Sequence, residues 1–374
     1  YSLYRNDVNN GGYNIIGDNQ NLAAGTIRTH SGNPYLRWEQ TMQTNVGLDA
    51  EFLTNRLLFG LDLFDKQTKD MLYEPAYAAV LGEGGYSFQN VAAMNNKGIE
   101  FNLSWRDSKD DFSYEISFNG SLNKNRITEL PEQVYYTWGC GNGDNIPNVG
   151  HPLGSWLGYK TDGLFRTQAE VDDYMSRYEV QYGAPGVGRL RYVDTNGDNV
   201  INAKDRIFMG SDQPKFIGGL NFSANWKGFD LSLFFNGMVR QAWNNSKFYT
   251  NLWAYWSGNH STRLLEAYDA WENYEKTGRY DSDIPALTTS GSNNENGSSD
   301  FFVENGSYLK LKTLTLGYTL PEKVLEKCHL RNLRVYLQAQ NLFTITSYTG
   351  ADPEGLGFPY PIPRTFTFGL SVGL

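Results

Sequence analysis

The sequence predicts an all-β protein: a transmembrane antiparallel β-barrel with long extracellular loops. Three observations predict it. Successive segments alternate apolar and polar residues with a period of two, two separate hairpins carry Trp and Phe on either side of a short turn, and short connections alternate with long ones.

The clearest alternation runs from Gly98 to Asn123. Ile99, Phe101, Leu103 and Trp105 alternate with Glu100, Asn102, Ser104 and Arg106. After the polar turn Asp107–Asp111, Phe112, Tyr114, Ile116, Phe118 and Leu122 alternate with Ser113, Glu115, Ser117, Asn119 and Ser121. A period of two over about ten residues per arm gives two strands, each with one apolar and one polar face. A soluble sandwich turns such an apolar face into its core. An outer-membrane barrel turns it to lipid and lines a wet lumen with the polar face. Trp105 and Phe112 sit on the apolar face beside the turn, where a membrane interface would lie, and favour the barrel.

Composition agrees. The 374 residues suffice for one large core or two ordinary ones. Mean hydropathy is −0.52, and no apolar run approaches the roughly 18 residues of a membrane helix, which a barrel does not need. Tyr, Phe and Trp make up 15 % of the chain, as aromatic girdles require. A net charge of −9 argues against nucleic acid as a partner. Cys140 and Cys328 fit no metal spacing; a long-range disulfide and free thiols both remain open. Tyr1 is not a start methionine and no signal peptide is visible, so the chain reads as part of a longer one.

In chain order, a short strand at Tyr1–Arg5 precedes a polar Asn- and Gly-rich stretch. Met42, Val46, Leu48, Ala50 and Phe52 then form an apolar face, which turns at Thr54-Asn55 and continues through Leu57, Phe59, Leu61 and Leu63. A long connection is expected over 67–97, and a very long extracellular loop over 124–215. The next hairpin places Leu220, Phe222, Ala224 and Trp226 before Lys227-Gly228, and Phe229, Leu231, Leu233 and Phe235 after it. Residues 240–306 form another long connection, with a short helix predicted over Asp269–Lys276. A fourth pair spans Tyr308–Leu320 and Leu333–Leu342, and its apolar phase slips between Leu311 and Leu314, which predicts a β-bulge. After a Pro- and Gly-rich loop at 344–363, Phe366, Phe368, Leu370, Val372 and Leu374 form the last face. Nine strands is an odd number, whereas single-chain bacterial barrels have an even one, so a larger barrel is expected.

Several stretches resemble the C-terminal part of SusC/RagA-type TonB-dependent transporters of the Bacteroidetes outer membrane. They are Asn33–Glu39 followed by Asn45–Asp49, Asn95–Glu100, Asp162–Phe165, Ser307–Lys312, Leu314–Pro321, Gln340–Thr344 with Tyr348–Glu354, and Arg364–Leu370. Their order and spacing cover nearly the whole chain. The resemblance implies the C-terminal strands of a plugged 22-stranded barrel, with the N-terminal plug and earlier strands outside residues 1–374. It further implies active import of oligosaccharides or peptides, with TonB acting on the plug and a SusD-like surface lipoprotein closing as a lid. Lipid would contact Phe101, Leu103, Phe118, Phe222, Leu233 and Phe368, while Glu100, Asn102, Glu115 and Asn119 would line the inner wall. One departure is the end at Leu374, where the family usually has an aromatic residue.

One motif carries sharper chemistry. Residues 194–205 place Asp194, Asn196 and Asp198 at positions 1, 3 and 5 of an EF-hand-like loop and Asp205 at position 12. Val200 would add its carbonyl and Asn202 a side chain or bridging water, converging on a structural calcium ion. Two features depart from the pattern: Asp205 stands at position 12 instead of Glu, and Asn199 replaces the usual Gly at position 6, where Asn tolerates the left-handed conformation required. The bland alternative is a loop made only of Asx turns. In the aromatic stretch, Trp243, Trp253, Tyr255 and Trp256 are candidates for stacking on sugar rings, with loop packing or contact with a partner protein as the alternative. His30, His151, His260 and His329 are isolated, Gly139–Gly143 lacks the strand-to-helix setting of a phosphate loop, and no nucleophile elbow is present, so no catalytic residue is assigned. The rival from another class is a secreted, calcium-stabilised β-sandwich that binds or cleaves glycans; a passive porin is a second rival. The fate of the apolar face separates barrel from sandwich.

Overall fold

Alternation of this length leaves the chain little choice but a sheet, and the computed structural model has one. It describes residues 2–7, 15–16, 22–23, 25–30, 32–73, 87–131, 144–145, 148–244, 247, 261–288, 295, 297–326, 330–356 and 362–373. The nine sheet strands are β1 (Gln40–Phe52), β2 (Leu57–Tyr73), β3 (Gln89–Lys109), β4 (Phe112–Glu129), β5 (Phe216–Trp226), β6 (Phe229–Val239), β7 (Tyr308–Thr319), β8 (Asn332–Thr346) and β9 (Thr365–Gly373). Neighbours in space are neighbours in sequence, every pair is antiparallel, and the edge strands β1 and β9 pair on one side only.

Register aligns the apolar residues into rows across the sheet. One row is Ala50, Phe59, Leu103, Phe118, Leu220, Phe235, Leu311 and Phe343. The next, nearer the short turns, is Leu57, Trp105, Ile116, Phe222, Leu233, Leu314, Ala339 and Phe366. A one-residue slip in any strand would move its whole set to the other face. Leu103 and Leu316 lie in strands with neighbours on both sides, yet are 42 % and 46 % exposed. No second layer covers this face among the described residues, as the barrel reading requires and the sandwich reading does not. The residues expected to meet lipid, including Phe101, Phe118, Leu233 and Phe368, all lie on it.

The height of the band is right for a membrane. From Phe112 to Leu122 the strand rises ten residues, about 33 Å at roughly 3.3 Å each, and a tilt near 40° reduces this to about 25 Å, the usual apolar band of a membrane barrel. No helix among the described residues is long and apolar enough to cross a membrane.

Strand ends depart from the sequence expectation. The connection expected over 67–97 is only 74–88, because β2 runs on to Tyr73 and β3 starts at Gln89. Likewise β4 continues to Glu129, six residues into the predicted loop. Above the apolar band both faces are polar (Asn95, Asn96, Lys97; Asn123, Lys124, Asn125), so nothing imposes alternation, and a register shift around Asp70, at φ 53°, hides the strand further. The predicted bulge in β7 is present: pairing with β8 skips a residue between Leu311 and Thr313.

The two longest connections fold together into one outer unit. Its core takes Phe165, Tyr174, Tyr192 and Ile201 from the first and Ala270, Tyr280 and Ala286 from the second. Helix α1 (Gln168–Arg177) starts where Thr167 Oγ1 accepts the Glu170 N–H at 3.3 Å. Helix α2 (Leu264–Thr277) contains the predicted Asp269–Lys276 segment and ends on Gly278 in the left-handed region, φ 74°.

Candidate functional site

The polar face of the sheet is the first candidate surface. Glu100, Asn102, Glu115 and Asn119 lie on it together, as expected for an inner wall. Its order comes from side chains laid over glycines. Asn45 Nδ2 donates to Asp62 Oδ1 at 3.1 Å beside Gly47, and Asn102 lies over Gly60. Arg334 on β8 reaches Asp230 on β6 with bonds of 2.9 and 2.6 Å by crossing Gly317 on the strand between them. A Cβ at Gly317 would collide with both partners, so the absent side chain makes the bidentate pair possible. Toward the short turns, a cleft of about 420 Å³ is lined by Arg56, Arg106, Asp107, Glu115 and Asn225.

At the opposite end, buried polar contacts knit the outer unit. Arg189 Nη1 meets Glu295 Oε2 at 2.9 Å, with the glutamate side chain only 1 % exposed. Asp300 Oδ1 accepts from Thr161 N at 2.8 Å and Oγ1 at 2.6 Å, and Arg166 binds the Tyr280 and Ser282 carbonyls and the Asp283 carboxylate. The Tyr280 hydroxyl donates to Ile284 O at 2.7 Å, and burial pushes its pKa up to about 12. Burial of Glu304 would raise its pKa, but the Thr349 N–H, the Lys247 ammonium and the Thr349 hydroxyl outweigh it and hold the carboxyl below its usual range.

Trp243 differs from the sugar-stacking expectation. It is 5 % exposed, stacked on Phe302 at 5.0 Å and 15°, with Trp156 at 5.8 Å. Its ring faces protein, because the segment after β6 is drawn into the small pairing of Gln241–Trp243 with Val303–Asn305. Trp253, Tyr255 and Trp256 lie outside the described residues, as do the side chains of Cys140 and Cys328. His151 is a loop residue stacked on Phe208 at 3.7 Å.

Residues 194–205, the EF-hand-like stretch, form a succession of Asx turns. Asn199 is left-handed at φ 61°, as expected for position 6. Asp194 Oδ1 accepts from Gly197 N at 2.7 Å and Oδ2 from Asn199 N at 2.9 Å; Asn196 and Asp198 accept from the N–H two residues on. Burial would raise the Asp194 pKa, but these N–H groups outweigh it and lower it. Asp205 is fully buried and accepts from Thr195 N and Asn202 N at 3.0 and 2.8 Å, while Asn202 caps Lys204 N. Among the described residues no three His, Cys, Asp or Glu side chains gather as a metal site. Asx turns shape the loop, and each carboxylate oxygen that takes one N–H keeps a second acceptor position.

A constellation the sequence analysis missed joins β7 to the loop between β8 and β9. Lys310 Nζ contacts Asp352 at 3.1 Å and Glu354 at 2.8 Å, and Lys312 Nζ contacts Glu354 at 2.7 Å. The opposite charges of Lys310/Lys312 and Asp352/Glu354 were the available signal, but they lie about forty residues apart with no periodicity to connect them.

A family model described as TonB dependent receptor-like, beta-barrel, matches residues 3–342. The chain is 31 % identical over 386 residues to the TonB-dependent receptor P3 of Formosa agariphila, covering 96 % of this chain and 36 % of that protein. It is 28 % identical over 360 residues to the TonB-dependent receptor SusC of Bacteroides thetaiotaomicron, covering 93 % and 33 %. Among solved structures, the RagAB peptide transporter superposes with a TM-score of 0.74 at 26 % identity, covering 100 % of this chain and 38 % of that one. The chain thus spans about a third of the length of the relatives it matches.

Proposed function

The chain belongs to the TonB-dependent receptor-like β-barrel family, and from that premise we propose that the protein containing it imports oligosaccharides or peptides across the bacterial outer membrane. In this reading the nine strands are part of a barrel wall integral to that membrane. Lipid contacts the apolar rows, substrate passes along the polar face, and the folded outer unit stands on the cell exterior. TonB supplies the energy through a plug elsewhere in the protein, and a SusD-like lipoprotein closes over the loops. The family is one of transporters, and we assign no catalytic step to this chain.

One observation carries the reading. The nine-stranded sheet holds an apolar face about 25 Å tall, left uncovered by the described residues, opposite a face ordered by Asn, Asp and Arg side chains. In addition, we propose that residues 194–205 bind calcium as a structural lock on the outer unit. The left-handed turn at Asn199 and the alternating oxygens of Asp194, Asn196 and Asp198 support this.

The test is extraction of the native full-length protein. Recovery only with detergent, together with a lipoprotein partner and loss of labelled oligosaccharide or peptide uptake when TonB is deleted, is the expected result. Recovery as a soluble lone chain would overturn it.

A further inference from the structure

Immediately above the apolar band, on the face that carries it, the sheet becomes basic. Leu122 and its partner Ile99 end the band on β4 and β3. Two residues further from the short turn, the same alternation places Lys124 opposite Lys97, and two further still Arg126 opposite Asn95. All three cations are exposed. Lys69 joins them at the edge of a cleft of about 490 Å³ that Lys97, Lys124 and Arg126 also line, with Glu129 the carboxylate on its rim. Lys97 is bonded to Asp65 at 3.0 Å, while Lys124 and Arg126 form no ion pair with any described residue.

Only Lys97 of the three cations is met by a described carboxylate, Asp65. Lys124 and Arg126 stand beside it as exposed cations with no ion pair among the described residues, on a chain whose net charge is −9. At the other end of the same hairpin no such excess exists: Lys109 is followed by Asp110 and Asp111. An anion bound among the cations would pair the two charges that no described carboxylate meets. Two residues are about 7 Å along a strand, roughly 5 Å in height at a tilt near 40°, which is the level of lipid headgroups above the hydrocarbon. The long connections mark this as the outer side of the membrane.

We propose that Lys97, Lys124 and Arg126 form a binding site for the phosphate-bearing headgroup of an outer-leaflet lipid. The lipid's chains lie against Ile99, Leu122 and Phe216, and its phosphate bridges the lysines. This inference rests on the membrane reading above. Surface cations of this kind attract anionic headgroups individually, and three fixed on two strands make the attraction local.

The experiment places the full-length protein in phosphatidylcholine nanodiscs doped with diphosphorylated lipid A or with its dephosphorylated form, and counts retained glycolipid by native mass spectrometry. Wild type is expected to retain the phosphorylated form, and Lys124→Gln/Arg126→Gln to lose roughly thirty-fold, two surface cations at about 1 kcal/mol each. Lys66→Gln, on the opposite face of β2, leaves retention unchanged. Equal retention of the two lipids by wild type overturns the site, and so does unchanged retention by the double variant. Comparing lipids on wild type alone keeps the test decisive if a variant fails to assemble. A protein that needs no detergent at all would instead overturn the membrane reading, a separate outcome.

Discussion

The ammonium of Lys310 lies 2.8 Å from the carboxylate of Glu354, forty-four residues later in the chain, and is only 3 % exposed. A buried cation is held there because Asp352 and Glu354 both face it, and Arg240 fixes the same loop by bonding the Pro353 and Glu354 carbonyls. Lys310→Ala removes the cation that Asp352 faces and leaves Glu354 with Lys312 alone. The expected loss is of order 3 kcal/mol in the anchoring of residues 348–356, read as faster hydrogen exchange there while the barrel strands keep theirs.

The same tether is pH-dependent. Burial alone would raise the Glu354 pKa, but hydrogen bonds from Lys310 and Lys312 and their charges outweigh it and hold it below the ordinary 4.5. A depressed folded-state pKa stabilises above the unfolded value and loses that contribution as pH falls through the folded one. Exchange in residues 348–356, corrected for intrinsic rate, should therefore be flat above pH 4.5 and rise below it. Glu354→Gln should reduce the rise, leaving the part that comes from Glu304, whose depressed carboxyl accepts the Thr349 N–H.

The two faces of β3 make opposite predictions for one substitution. Leu103 lies near mid-height of the apolar band and Asn102 on the polar wall beside it. Leu103→Arg is expected to cost about 2–4 kcal/mol of barrel stability, and Asn102→Arg far less. Urea unfolding in detergent or bilayer distinguishes them, and equal costs would contradict the orientation of the sheet.

Legibility in the sequence followed the solvent. Where one face meets an apolar medium, as from Ile99 to Leu122, the period of two named the strands, and the slipped phase at Leu311 even named the bulge. Where both faces are wet, as at Asn95–Lys97 and Asn123–Asn125, the strands continued unseen. The outer unit was opaque for a different reason. Its core assembles Tyr174, Ile201, Tyr280 and Ala286 from connections about a hundred residues apart. Its cross-links, Arg189–Glu295 and Thr161–Asp300, depend on tertiary placement rather than local pattern. Trp243 shows the limit most plainly: an aromatic-rich stretch reads alike whether its rings face a ligand or, as here, Phe302.

Arg189 and Glu295 supply a test of whether the outer unit folds as one piece. The pair is nearly dry, and Glu295 also accepts from Leu190 N at 3.3 Å. Glu295→Gln should destabilise the unit by about 3–5 kcal/mol because the Arg189 charge loses its partner inside the protein. The double change Arg189→Met/Glu295→Leu should recover a large part of that loss, since replacing both charges removes the desolvation cost as well as the attraction. Limited proteolysis within residues 148–215 and 261–305 reads both. Cleavage confined to one connection would show that the two fold separately.

The calcium site proposed at residues 194–205 is expected to be weak rather than strong. Its carboxylates are already engaged by the N–H groups of Gly197, Asn199 and Val200 and, at Asp205, of Thr195 and Asn202. A cation must draw the free lone pairs of Asp194, Asn196 and Asp198 inward, and part of its binding energy is used in that adjustment. The expected dissociation constant is therefore roughly 10⁻⁴–10⁻³ M, the range of extracellular modules. At 100-fold excess over that constant, calcium would stabilise the unit by about 2.7 kcal/mol, visible as a rise in Tm that a chelator reverses. Asp194→Ala/Asp198→Ala should abolish the rise. An identical Tm for wild type with calcium and with chelator would show that the Asx turns alone shape residues 194–205.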